Sequence, residues 1–316
     1  RMRLARAARD MDLAAITTIH GFCQRLLAEH ALEAGQPLLA AAIVPANAAQ
    51  RSALAVELWR GFSADTAGAE FLRRCFDAPD GLATALRDLL APDPLVPPAA
   101  GGEDACATRD CAWAALRACF LDTGADARDA LEAAARNRIL SSAKDKAIPL
   151  ALLWDWFAHA TDGAPLQPHP QLICLTRDSL RNACLKDKQA QLPPLVLCDA
   201  VEAYLRASDA CDLQRLHALR AAARERDAAD KRAFRMRDYD DLITAVFDAT
   251  RDEAVAPGLA ASLRAQFPLV LVDEFQDTDA RQWAIFERLF GEGGLLLVGD
   301  PKQAIYRFRG GDVATY

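Results

Sequence analysis

The 316-residue sequence contains no uninterrupted apolar run approaching the length of about 18 residues that a membrane-spanning helix needs. Residues 1–10 are charged and have no apolar core segment, so no secretory signal is expected in them. Nine cysteines are present, yet no two form a C-x-x-C pair. The nearest set, Cys106, Cys111 and Cys119, fits no zinc-ligand spacing, and nine thiols are too sparse for a disulfide scaffold. Free thiols in a reducing compartment, the cytoplasm, are therefore expected. Only six lysines occur, at 144, 146, 186, 188, 231 and 302, and none follows a glycine. The phosphate-cradling pattern G-x-x-x-x-G-K-[ST] is thus missing from these residues. The sequence starts at Arg1 without an initiator methionine and stops at Tyr316 with no obvious terminal cap, so a piece of a longer chain is expected.

What is present can build a core. Hydrophobic residues make up 52% and charged residues 26%, and the length suggests about two domains of roughly 150 residues. The net charge of −7 does not by itself advertise a nucleic-acid partner, but its distribution is uneven. Residues 1–30 carry five arginines against three acids, and residues 236–316 carry eight basic and fourteen acidic groups. Between them, Arg215 to Arg237 hold eight basic and three acidic residues. Such a stripe can meet phosphate, or it can be a solvated helix face with its own ion pairs.

The pattern divides the chain into three stretches, 1–34, 35–235 and 236–316. Leu13 to Ile19 has β-branched character and predicts a strand, and after Gly21 the spacing of Phe22, Leu26 and Leu27 predicts a helix. From 35 to 235, Ala, Leu and Arg dominate at helical spacing, with breakers such as Pro97-Pro98 and Pro193-Pro194. Roughly eight helices and no strand are expected there, with one long helix from Leu195 to about Arg226. Beyond Asp238, Phe267 to Val272 is a continuous apolar run ending at Asp273, the pattern of a buried parallel strand. Asp279 to Phe290 reads as a helix capped by Asp279 with Gln282 three residues on. Leu295 to Val298 reads as a second buried strand. Strand–helix–strand implies an α/β unit with a right-handed crossover, and the two ends of the chain are expected to share one sheet.

The chemistry sits at the strand tips. Carboxyl ends of strands line the ligand crevice of α/β sheets. There Asp273 can hold Mg²⁺ through water, and Glu274 can orient or deprotonate a water for attack on a terminal phosphate. The second strand runs into Gly299-Asp300-Pro301-Lys302-Gln303, and Gln303 just beyond the tip can reach a terminal phosphate. Tyr306 and Phe308 interleave with Arg307 and Arg309, offering faces for unpaired bases and cations for phosphates. The alternative is that both aromatics are core and both arginines surface.

Asp273-Glu274-Phe275-Gln276-Asp277-Thr278-Asp279 and Gly299 to Asp312 resemble motifs II and III of superfamily 1A helicases, the UvrD/Rep group, and most of all its RecB branch, the β chain of exodeoxyribonuclease V. Thr18-Ile19-His20-Gly21-Phe22-Cys23 resembles the segment of that group beside the DNA path, and Arg237 to Ile243 resembles the segment preceding motif II. The four segments cover about forty residues, in the family's order. The resemblance implies an α/β fold: a partial RecA-like P-loop motor domain, 1A, formed by 1–34 and 236–316, with a large all-α 1B-like insertion at 35–235. It implies ATP and Mg²⁺ as cofactors, with Asp273 as the Mg²⁺-associated acid, Glu274 as the general base and Gln303 as the γ-phosphate sensor. It implies DNA contacts by Thr18, His20, Tyr306 and Phe308, with Arg307 and Arg309 between. For His20 a buried, hydrogen-bonded role is the alternative; for Asp240 and Asp241 it is helix capping.

The resemblance also implies what would lie elsewhere: a phosphate loop before Arg1, and the second motor domain and a nuclease domain after Tyr316. The 316 residues alone are then expected not to hydrolyse ATP. The implied partners are single-stranded and duplex DNA ends and RecC- and RecD-like subunits, with no membrane, in double-strand-break repair and recombination. A UvrD/Rep-like repair helicase is the nearest alternative, and a DNA-binding or subunit-docking module with a decayed ATP site is the non-enzymatic one. A metal-dependent nuclease within these residues lacks a second acidic cluster with a nearby lysine.

Overall fold

The computed structural model describes residues 15–35, 41–44, 48–91, 95, 97–98, 104–141, 148–160, 165, 168–185, 187–192, 194–300 and 302. The chain divides into two compact units, Ala48–Asp227 and the pair Arg1–Asn47 with Ala228–Tyr316.

In the second of these, α1 spans Ile19–Glu29. Thr18 starts it as N-cap, its Oγ1 accepting the Gly21 N–H at 3.1 Å. The strand expected over Leu13–Ile19 is not formed within the described residues: 15–18 are unpaired coil, Ile16 is exposed and Ile19 is already helical. A β-branched run becomes a strand only against a partner, and here the capping threonine turns it into a helix instead. The two-residue strands β1 (Ala42–Ile43) and β2 (Met236–Arg237) pair in parallel, so the 35–235 stretch does contain a strand.

Next come α9 (Tyr239–Ala249) and α10 (Ala256–Gln266), then β3 (Leu269–Val272), α11 (Ala280–Phe290) and β4 (Gly294–Leu297). β3 and β4 pair in parallel, from Leu269 opposite Gly294 to Val272 opposite Leu297. Among the described residues the two ends of the chain share a core, and β1–β2 and β3–β4 are separate sheets. That core joins Cys23, Leu26 and Leu27 of α1 to Val246 of α9, Leu259 and Leu263 of α10, Val272, and Ile285, Phe286 and Phe290 of α11. Only one face of β3 is covered: Val272 is buried while Leu269 and Leu271 are 69% and 57% exposed. The expectation of fully buried strands is corrected accordingly, because among the described residues the helices pack on one face alone.

The other unit is helical. Its helices are α2 (Ala48–Phe62), α3 (Thr66–Phe76), α4 (Pro79–Leu89), α5 (Ala105–Arg136), α6 (Leu150–Ala158), α7 (Arg177–Ala183) and the start of α8 (Val196–Phe234). Two short 3₁₀ turns, Pro170–Leu175 and Gln189–Gln191, lie between them. The long helix thus runs eight residues beyond Arg226, and the division between units falls within it. One core packs Trp113 and Leu131 of α5 against Trp154, Leu172 and Tyr204. A second gathers Leu54, Phe71, Leu82 and Leu86 of α2–α4 around Leu219 and Ala223 of α8. Beside it Arg220 is buried, donating to the Leu89 and Ala91 carbonyls at 3.0 and 2.6 Å.

Not all cysteines are free, contrary to expectation. Cys106, in the first turn of α5, is disulfide-bonded to Cys211 of α8, 105 positions away in sequence. The Ala105 N–H donates to Gln214 Oε1 at 3.0 Å and seats that turn on α8. The other seven cysteines are free. No helix among the described residues is long and apolar enough to cross a membrane.

Candidate functional site

Asp273 and Glu274 follow the last residue of β3, and both are exposed. Asp273 folds back on the turn, its Oδ1 accepting the Glu274 N–H at 2.9 Å. Glu274 adopts a left-handed backbone, φ 51° and ψ 41°, and opens the 3₁₀ turn Phe275–Asp277. A non-glycine residue keeps that conformation only where its surroundings impose it. Here the constraint comes from β4: Val298 donates its N–H to the Val272 carbonyl at 2.9 Å, and Phe275 donates its own to the Val298 carbonyl at 2.9 Å. Gln276 completes the turn, its Nε2 donating to Glu274 Oε2 at 2.6 Å and its Oε1 accepting the Asp300 N–H at 3.0 Å. The second oxygen of Glu274 has no hydrogen-bond partner among the described residues. Below the turn Phe275 meets Trp283 edge-on at 5.4 Å, anchoring it to α11. Asp279 caps α11 as expected, accepting the Arg281 and Gln282 N–H groups.

These oxygens suit Mg²⁺, which takes hard oxygen ligands and keeps much of its water. Two carboxylates stand exposed at the strand tip, and Asp277 Oδ1 is buried without a hydrogen-bond partner among the described residues. No three His, Cys, Asp or Glu side chains converge into a metal cage among the described residues. Asp273 and Glu274 would hold such an ion from the strand tip, with its remaining positions left to water or to other oxygen ligands.

The second group of predicted residues lies at the start of α1. Thr18 is exposed and its hydroxyl is engaged in the cap. A Cβ on Gly21 would stand 2.2 Å from Thr17 Oγ1, so only glycine leaves that hydroxyl in place. His20 is partly exposed and makes no hydrogen bond among the described residues, so the buried, hydrogen-bonded role is not the one found. Its ring instead meets Tyr239 edge-on, 5.8 Å between centroids. Tyr239, the first residue of α9, is half exposed. It was not singled out in the sequence, although it lies within the Arg237–Ile243 segment, because nothing local to that segment signals the histidine 219 positions earlier.

Asp241 is a capping residue, in a reciprocal box with Asp238: each carboxylate accepts the other's backbone N–H at 2.8 Å. Lys231 Nζ bridges both carboxylates at 2.8 and 3.0 Å. Burial raises the Asp241 carboxyl, with the Asp238 charge adding to it, while Lys231 and the Asp241 N–H outweigh burial at Asp238 and lower it. Part of the basic stripe is therefore committed internally, since Arg220 is buried and Arg226 pairs with Glu57. Gln303, Tyr306, Arg307, Phe308 and Arg309 lie outside the described residues.

A parallel strand–helix–strand unit with paired carboxylates at one strand tip, continuous in chain with a large helical unit, is the class this geometry defines. The UvrD/REP helicase N-terminal domain family matches residues 1–316, and the chain belongs to that family. It is 30% identical over 326 residues to RecBCD enzyme subunit RecB of Escherichia coli (strain K12), covering 98% of this chain and 27% of that protein. It is 54% identical over 79 residues to the RecB subunit of Mycolicibacterium smegmatis, covering 25% of this chain and 7% of that one. The RecB subunit of Chlamydia trachomatis is 56% identical over 62 residues, 18% of this chain and 6% of that protein. The chain thus spans about a quarter of the length of the Escherichia coli relative.

Proposed function

We propose that these residues form half of an ATP-driven DNA translocation site within a RecB-type helicase chain. In this reading residues 1–34 and 236–316 belong to a RecA-like domain 1A, and 35–235 form a 1B-like helical insertion. The observation that carries it is the Asp273-Glu274 pair, exposed at the end of β3 and fastened to the tip of β4 through Gln276. ATP with Mg²⁺ supplies the phosphoryl group and neutralises its charge. Asp273 holds the hydrated ion from the strand tip. Glu274 keeps one carboxylate oxygen for the proton of the attacking water, while Gln276 fixes the other. Gln303 senses the terminal phosphate. Thr18, His20 and Tyr239 line the DNA side together with Tyr306, Arg307, Phe308 and Arg309, where stacking and phosphate pairing serve a single strand.

The missing phosphate loop makes a sharp consequence. Backbone amides and a lysine of that loop hold the β/γ-phosphates, so the 316 residues alone bind ATP weakly and do not turn it over. Work on double-strand ends in the cytoplasm, with RecC- and RecD-like partners, is the part of this proposal that the similarity to RecB subunits supports. The test is DNA-stimulated ATP hydrolysis by the 316 residues and by the chain extended to its natural termini. Activity in the long form alone supports the reading. Activity in neither favours a docking module, and activity in the short form means that the ATP site is elsewhere.

A further inference from the structure

We infer that Gln276 is a positioning residue that couples the carboxylate of Glu274 to Asp300 at the tip of β4. The inference rests on the hydrolysis reading above and deepens it. Its basis is the bonding of one side chain. The amide nitrogen can only donate and a carboxylate can only accept, so Nε2 faces Glu274 at 2.6 Å. The amide oxygen can only accept and a backbone N–H can only donate, so Oε1 faces Asp300 at 3.0 Å. The orientation is fixed by chemistry at both ends, and a rotated amide loses both bonds. The side chain is 4% exposed, so water does not replace either partner.

The bridge continues a ladder. Val298 N–H to the Val272 carbonyl and Phe275 N–H to the Val298 carbonyl are its first two rungs. Gln276 is the third, where the backbones of the two strands have already parted. Asp300 is a point of departure as well as an anchor, because its Oδ1 accepts the Lys302 N–H at 3.0 Å at the start of the segment carrying Gln303 and Tyr306. A displacement of the Asp300 peptide is therefore transmitted to Glu274 through one rigid amide. No other described side chain connects those two groups, and alanine or leucine at 276 can serve neither end.

The experiment uses the natural full-length chain, measuring steady-state ATP turnover with and without single-stranded DNA. Gln276→Ala is expected to lower kcat by about tenfold with little change in KM for ATP, and to reduce the DNA stimulation ratio. Gln276→Glu keeps the size and the acceptor for the Asp300 N–H but has no donor for Glu274, and is expected to be as slow as Gln276→Ala with the same unchanged KM. This arm stays decisive if Gln276→Ala folds poorly, because a purely structural glutamine would not separate kcat from KM. Unchanged kcat and stimulation in either folded variant overturns the inference. Glu274→Gln separates the two claims: normal turnover there removes the hydrolysis reading itself, whereas an inactive Glu274→Gln beside a normal Gln276→Ala removes only the coupling.

Discussion

Under the proposed function, single side chains at this site divide into those that would meet a ligand and those that hold them in place. Glu274 is exposed and half engaged, as a base for water must be. Glu274→Gln in the full-length chain keeps the size and the Gln276 contact but removes the proton acceptor. ATP turnover should fall at least a hundredfold while nucleotide binding, read by equilibrium dialysis, stays intact; an unchanged kcat would exclude the base role. A different residue reports on the core. Cys23 is fully buried in α1, and burial pushes its thiol from 9.0 up to about 12. The folded chain keeps that proton while the unfolded chain releases it once pH exceeds about 9. Stability contributed by the neutral thiol is therefore complete below pH 9 and declines toward pH 12, by up to about 1.4 kcal/mol per pH unit. Urea unfolding of Cys23→Ala across pH 8 to 11 should show a shallower decline than the unsubstituted chain. Parallel slopes would mean that the thiol is not insulated.

At the scale of elements, the lone long crosslink is the feature with most leverage. Cys106–Cys211 ties the first turn of α5 to α8 across 105 residues. Chain-entropy arguments give a loop of that length on the order of 4 to 5 kcal/mol. In denaturant without reductant, seven of the nine cysteines should alkylate, and all nine after reduction. Reductant should also lower the thermal midpoint, and Cys106→Ser should abolish the reductant effect. Nine reactive thiols before reduction would show that the pair is open. This crosslink was hidden in the sequence for the same reason that Tyr239 was: both join positions over a hundred residues apart. Elements fixed by neighbours were legible. The cap of α11 by Asp279, the parallel runs ending at Asp273 and Gly299, and the long α8 all follow from residues within one or two turns. Within the described residues the strand expected at Leu13–Ile19 is not formed, because the Thr18 cap, three residues ahead of Gly21, starts a helix at Ile19 instead. Of the candidate site, the exposed placement of Asp273 and Glu274 at a strand end was legible from the local pattern, whereas the Gln276 bridge forms only where β4 delivers Asp300 to it.

Across these 316 residues, a net charge of −7 is poorly suited to holding DNA, so under the proposed function any affinity they contribute comes from local surplus. The run from Arg215 to Arg237 supplies eight basic groups, but geometry removes several from the account. Arg220 is sunk against the Leu89 and Ala91 carbonyls, Arg226 pairs with Glu57, and Lys231 clamps the Asp238–Asp241 box. Arg224 and Arg232 are exposed and have no hydrogen bond or ion pair among the described residues. Each phosphate neutralised releases condensed counterions and adds about 0.9 to the slope of log K against log salt for duplex DNA. Arg224→Ala and Arg232→Ala should therefore each flatten that slope by about 1 in the full-length chain. Arg226→Ala should leave it nearly unchanged, because its charge is already spent on Glu57. Fluorescence anisotropy of a labelled duplex over a salt series makes the comparison. Equal slopes in all three variants would mean that α8 presents a solvated face and that the duplex is gripped elsewhere.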